Sequence, residues 1–339
     1  MEAYRSLSAE EVRQIAGGYY ADRARKTVAL DQPSFVYVGA QPGAGKTTAG
    51  KMVRAELRER GGFIHIDADR MRESIPVHGS RPTSEQTQQD AGRLVGELRS
   101  RALDGRRNAL EEGTFRDTDA ALASIQARKA DGYRVELVAV ATPREESLLG
   151  IYQRYEAQHA AGALNPRFVP QAYHDTAMKG FDKTFQSVEN VVDRVRVVTR
   201  EGELLHDSAR QKNPYPSAYA ALRAGQELTP ERREQVQNGW AIVGELARSR
   251  GADPVYMSAV RDNAAEVARL PSPASAVALK LAKDAGLSGE RLDAARKQIE
   301  ALGARTGSQN LRVVDTAYRP PSPAPTVPTP SRGKDAPER

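Results

Sequence analysis

The stretch GAQPGAGKTTAG, residues 39–50, constrains this chain more than any other. Gly43, Gly45, Lys46 and Thr47 stand in the register of the phosphate-loop pattern GxxxxGK[ST]. The pattern's first position departs, with Ala40 where glycine is usual and Gly39 one step early. Upstream, SFVYVGA is a short apolar run bounded by Pro33 and glycines, which predicts a buried strand. Downstream, KTTAGKMVRAELRERGG has helical composition and closes on a glycine pair. Strand, glycine loop and helix, in that order, present backbone N–H groups and a helix N-terminus to a phosphate. Gly43, Ala44, Gly45, Lys46, Thr47 and Thr48 are therefore expected to hold a nucleoside triphosphate. Lys46 would reach its β- and γ-phosphates, and the Thr47 hydroxyl would ligate Mg²⁺.

The loop opens a longer alternation. FVYVGA, GFIHIDAD, RNALEEGT, YRVELVAVAT and VRVVTR are strand candidates separated by helical stretches. They predict an α/β fold over residues 31–212, a P-loop kinase-like parallel sheet with helices on both faces, and ligands at the carboxyl ends of the strands. Residues 1–30 read as an N-terminal helical segment, with Ser8 and Glu11 spaced as a capping box. Residues 213–305 read as a helical accessory domain, a small C-terminal bundle. Its TPERREQVQNGWAIVGELARSRG opens on Thr229 as cap and Pro230 at the first helical position and closes on Gly251. Val236, Trp240, Val243 and Leu246 are expected on its buried face. Residues 306–339, ending in RPPSPAPTVPTPSRGKDAPER, are predicted to be a disordered proline-rich tail.

Composition narrows the function classes. At 339 residues the chain is long for one core. Fifty Lys and Arg against 44 Asp and Glu give a net charge of +6 with no block of like charge, which favours a solvated surface over a nucleic-acid stripe. The absence of cysteine excludes disulfides and thiolate metal sites. MEAYRSLSAEEVRQ lacks the segments of a signal peptide, and no apolar run approaches a membrane span. A cytoplasmic protein with neither nucleic-acid nor membrane partners is expected.

Three further motifs fall where chemistry is expected. HIDADR ends the second strand, where a small-molecule kinase needs a carboxylate to take the proton of an acceptor hydroxyl; Asp67 and Asp69 are the candidates. In EEGTFR, after the third strand, Glu112, Thr114 and Arg116 alternate and can line one side of a substrate cleft. YQRYEAQHAAGALNPRFVP carries Arg154 and Arg167, cations suited to the charge that spreads over a transferring phosphoryl group.

Together GAQPGAGKTT, IDADRMRESIP, LEEGTFRDTD, YQRYE and RFVPQAYHD resemble, in order and spacing, the zeta toxin family, the kinase half of bacterial toxin–antitoxin modules. The resemblance runs over residues 34–208. It implies phosphorylation of the sugar 3′-hydroxyl of UDP-N-acetylglucosamine by ATP or GTP with Mg²⁺, which blocks cell-wall synthesis. It implies Asp69 as general base, Lys46 and Thr47 on triphosphate and Mg²⁺, and Arg154 and Arg167 on the transferred phosphate. Glu112 and Thr114 fall on the family's sugar-nucleotide pocket, and Glu97 matches a further pocket carboxylate with a slip in register. The helices after about residue 215 and the proline-rich tail have no expected counterpart in short family members. They are expected either to fold over the cleft as intramolecular inhibitory helices or to dock a partner such as an antitoxin. Two other readings stay open: a P-loop kinase of another small hydroxylated substrate such as NAD, and a nucleotide-binding switch without transfer. Against the switch stand the missing NKxD signature and a carboxylate at the end of strand two.

Overall fold

The computed structural model describes residues 4–77, 82–83, 85–163 and 166–270, and several residues between 288 and 297. Its strands are β1 (Ser34–Gly39), β2 (Ile64–Ile66), β3 (Ala109–Gly113), β4 (Arg134–Ala141), β5 (Arg194–Thr199) and β6 (Leu204–Asp207). The helices are α1 (Ala9–Ala24), α2 (Lys46–Glu59), α3 (Ala68–Glu73), α4 (Gln88–Asp104), α5 (Thr118–Ala130), α6 (Arg144–Ala160), α7 (Gln171–Val188), α8 (Ala218–Gly225), α9 (Pro230–Ser249) and α10 (Pro254–Arg269). The sheet runs in the order β2-β3-β1-β4-β5-β6.

All pairings are parallel except that of β6 with β5. Each of the first five strands lies in a stretch that the sequence marks out. The sixth does not, because LLHD is short and half-polar; it forms by returning antiparallel onto β5. Side chains alternate across the central strand. Val36 and Val38 pack with Ala49, Val53 and Leu57 of α2, while Phe35 and Tyr37 go to the opposite face with Ile125, Phe181 and Phe185. A strand buried on both faces has to be apolar throughout, which is why SFVYVG reads as a continuous run.

Residues to Leu270 form one compact unit. The reason is shared apolar burial. Leu7, Val12 and Ala16, from α1 and the residues before it, join Leu94 and Leu98 of α4 in the core beneath the sheet, and Ala218, Ala221 and Leu222 of α8 enter the same core. Further on, α9 and α10 pack Val236, Trp240, Val243 and Val260 against Leu148, Leu149 and Tyr152 of α6. The Ser8–Glu11 capping box is present on α1, and Thr229 caps α9 with Pro230 in its first turn. Leu246 is not on the buried face. It is 43% exposed, and Ala247 takes its place. A period of 3.6 carries the stripe from 236 through 240 and 243 to 247, one position past the expected leucine. The expected proline-rich tail, and the helices expected after α10, lie outside the described residues, apart from a few positions between 288 and 297.

Candidate active site

The loop between β1 and α2 is built on two left-handed glycines. Gly43 and Gly45 have φ of 77° and 91°, and a Cβ on Gly43 would lie 1.9 Å from the Ser147 carbonyl oxygen. Ala40 is absent from the positive-φ positions, which explains why alanine is tolerated there. Glycine is needed one residue earlier, where a Cβ on Gly39 would meet Phe181 at 2.8 Å and Phe115 at 3.0 Å. Lys46 folds its ammonium back onto the loop, donating to the carbonyls of Ala40 (2.9 Å) and Gln41 (3.1 Å). Burial pushes its pKa down to about 8; Glu112 opposes the fall and Arg154 adds to it. At the start of α2, Gly45 as N-cap brings no side-chain acceptor, and the first turn carries no acidic residue. The positive end of that helix is thus left for an anion.

A cavity of about 510 Å³ opens over this loop at the carboxyl ends of β1, β2 and β3. Gly43, Ala44, Gly45, Lys46 and Thr47 line its floor. Thr48 does not reach it and lies further into the first turn of α2, donating its N–H to the Gly45 carbonyl.

Both aspartates of HIDADR reach the wall, in different roles. Asp67 caps α3, its carboxylate accepting from the Asp69 N–H at 2.8 Å. The Asp69 carboxylate pairs with Arg72 (2.6 Å) and with Arg167. Burial pushes the Asp69 carboxyl up, but Arg167 and then Arg72 outweigh it and hold the group below its ordinary value. Arg154, on α6, has neither a hydrogen bond nor an ion pair among the described residues, yet it lines the same cavity. Burial, and after it the neighbouring Arg167, lower its pKa, while Asp69 opposes the fall.

Glu112 and Thr114 line the opposite side. One Glu112 oxygen accepts from Arg54 (3.1 Å) and faces His65 Nε2 (3.0 Å). Burial raises this carboxyl, but His65 and Arg54 hold it below its usual value. Arg116 lies outside the lining, with its guanidinium 4.9 Å from the centroid of Tyr173, which does line it. Glu97 is not brought to the cavity. It pairs along α4 with Arg101 (2.8 Å), whose guanidinium reaches the Arg13 carbonyl of α1, so this side of α4 faces α1 and not the cleft.

Several lining or supporting residues escape sequence reasoning. Arg200, at the end of β5, donates to the Gly43 carbonyl and pairs with Glu146 (3.5 Å). Its position closing VRVVTR, at the carboxyl end of a predicted strand, is a usable signal. Tyr173 gives none. Ser147, His174 and Asp175 form a chain with spacings of 2.8 and 2.9 Å that superficially matches a hydrolase triad. Ser147 and His174 are fully buried, however, and Gln41 donates to the same serine, so the chain braces the phosphate loop against α6 and α7. Burial lowers the His174 pKa and Asp175 opposes the fall.

A mostly parallel sheet with a phosphate loop at its central strand, facing a carboxylate and arginines across one cavity, defines a kinase of the P-loop class. Comparison with known proteins is narrower. The family model described as Zeta toxin matches residues 19–211, and the chain belongs to that family. It is 28% identical over 223 residues to Toxin PezT of Streptococcus pneumoniae serotype 4, covering 63% of this chain and 87% of the relative. Toxin zeta of Enterococcus hirae is 27% identical over 227 residues, covering 62% and 79%. A solved structure from work on the PezAT chromosomal toxin–antitoxin system of Streptococcus pneumoniae matches with a TM-score of 0.60 at 25% identity, over 72% of this chain and 99% of that one. That share exceeds what residues 34–208 supply, so the likeness extends beyond them. Among the described residues no helix is long and apolar enough to cross a membrane.

Proposed function

We propose that this chain transfers the γ-phosphoryl group of ATP or GTP to the 3′-hydroxyl of the sugar in UDP-N-acetylglucosamine, acting in the cytoplasm as a toxin against cell-wall synthesis. One observation carries the reading: Lys46, Asp69, Arg154 and Arg167 meet Glu112 and Thr114 around one cavity. In the transfer, an acceptor oxygen bonds to the γ-phosphorus as the bond to the bridging oxygen breaks. Asp69 takes the hydroxyl proton, and the arginines neutralise charge on the equatorial oxygens. Asp69 and Arg167 neutralise each other before substrate arrives. An incoming phosphate competes for Arg167, which releases the carboxylate and raises its basicity where the proton has to go. The residues present also fit a magnesium ion. Among the described residues no cluster of three or more His, Asp or Glu could hold a metal alone, and Mg²⁺ takes few protein ligands when phosphates supply the rest. Thr47 would hold the ion, which neutralises charge between the phosphates when bound.

An antitoxin partner belongs to the same reading, because no residue of α1 or of α8–α10 lines the cavity and its mouth is therefore open to a second protein among the described residues. The test is incubation with ATP, Mg²⁺ and a panel of nucleotide sugars, nucleosides and NAD, followed by mass spectrometry. A phosphoryl group gained by UDP-N-acetylglucosamine is the expected result. Phosphorylation of NAD instead would replace the acceptor, and γ-phosphate released only to water would remove the transfer reaction.

A further inference from the structure

A second cavity, of about 450 Å³, opens where the end of α1 and the turn after it meet α2 and the edge strand β2. Its wall carries Arg23, Lys26, Arg54, Arg58, Arg70 and His65, with no Asp or Glu. Three of the arginines have carboxylates outside the cavity, and His65 shares one of them: Arg23 pairs with Asp22, Arg54 with Glu112 at 3.1 Å, Arg70 reaches Asp67 at 4.0 Å, and His65 Nε2 lies 3.0 Å from Glu112. The side chains of Lys26 and Arg58 have neither a hydrogen bond nor an ion pair among the described residues. Tyr19 and Phe63 add aromatic surface, and the Tyr19 hydroxyl is buried without a hydrogen-bond partner. A buried hydroxyl left unpaired is costly, and like charges on one concave wall repel. Both costs are relieved by the same guest, an anion rich in acceptor oxygens.

We propose that this cavity binds a small phosphate-bearing molecule, its oxygens on Lys26, Arg58 and Arg70 with the Tyr19 hydroxyl as a further donor. The site is separate from the phosphate loop but shares a wall with the first cavity. Arg54 and His65 line the second cavity, while Glu112, which both of them hold, lines the first. Arg54 faces the second cavity while it pairs with Glu112 of the first, so a phosphate on the neighbouring cations also draws on Arg54, and the coupling between the two sites is reciprocal.

The experiment is calorimetric titration of inorganic pyrophosphate into the full chain with its phosphate loop saturated by a non-hydrolysable ATP analogue. Wild type is expected to bind one pyrophosphate, and the Lys26→Ala, Arg58→Ala double variant to bind it at least roughly tenfold more weakly, the loss expected for charge-assisted hydrogen bonds. Both side chains are exposed and unpaired, so the fold and the turnover without pyrophosphate should not change; Lys26→Glu provides a second variant of reversed charge. Neither residue touches the phosphate loop, which separates this site from that one. An adenosine diphosphate arm identifies the source of the phosphate: affinity equal to pyrophosphate assigns the site to phosphate alone, and tighter binding that falls in Phe63→Leu assigns it to a nucleotide. No binding of pyrophosphate at millimolar concentration, or equal affinity in the double variant, overturns the proposal.

Discussion

Lys46 and Asp69 each hold a charge that the surroundings have already shifted. With its pKa pushed down to about 8, Lys46 is an ammonium below that pH and increasingly neutral above it. Only the charged form attracts a polyanion, so nucleotide affinity should be flat below pH 8 and fall by up to about tenfold per pH unit above it. Equilibrium titration of a fluorescent ATP analogue across pH 6–9.5 measures this, and Lys46→Ala should bind weakly and lose the pH dependence. The same variant should abolish transfer while keeping its circular dichroism spectrum, because the ammonium bonds only two loop carbonyls and supports no core. For the aspartates, Asp69→Asn should cost about 10²- to 10⁴-fold in turnover with nucleotide binding retained. Asp67→Asn should cost far less, because asparagine caps a helix about as well as aspartate. Single-turnover rates compare the two, and a larger loss at position 67 would move the base to that residue. The sequence made these positions legible through motif spacing. Spacing alone leaves both aspartates open and the resemblance points to Asp69; the structure adds that Asp67 caps α3 while Arg167 and Arg72 pair with Asp69.

Helix α6 carries Arg154 toward the cavity on one side and receives α9 on the other. Tyr152 is the hinge of that arrangement, its ring 4.9 Å from Trp240 and 5.3 Å from Tyr256 by centroid. Arg250 and Glu156 add a paired contact of 2.8 and 3.0 Å between the same elements, and Arg144 meets Glu266 of α10 at 3.2 Å. Phe168, next to Arg167, meets Tyr256 edge to face with centroids 5.7 Å apart. The added helices therefore hold the elements that bear both arginines. Trp240→Ala should destabilise the fold by roughly 3–5 kcal/mol, read as a fall in Tm, because its side chain is fully buried. Turnover should fall as well at temperatures where the variant remains folded, since α6 loses its backing. Unchanged turnover in the folded variant would leave α9 with a purely structural role.

On the scale of the whole molecule, the unit that ends at Leu270 carries the sheet, both cavities and the helices that brace α6. A fragment of residues 1–270 should match the full chain in Tm and in turnover. A fragment of residues 30–212 should be less stable and less active, because it strips α9 and α10 from Leu149 and Tyr152 and removes α1 from α4. Thermal unfolding and a coupled ATPase assay compare the three proteins. A faster 30–212 fragment would restore the idea that the chain's own helices restrain the kinase.

The sequence by itself determined the class of this protein. A glycine loop between an apolar strand and a helix can do little but meet a phosphate, and the alternation that follows dictates a parallel sheet whose strand ends gather Asp69, Glu112 and Thr114. These are local rules of backbone geometry and periodicity, readable within a window of a few residues. Tertiary structure alone decided the rest. Glu97 turned toward α1, Arg116 settled on Tyr173, Arg200 closed over the phosphate loop, and α1 and α9 joined the kinase body instead of standing apart. Each of those outcomes depends on which apolar faces meet between elements far apart in the chain, and burial of shared surface is a property of pairs that no single stretch of sequence contains.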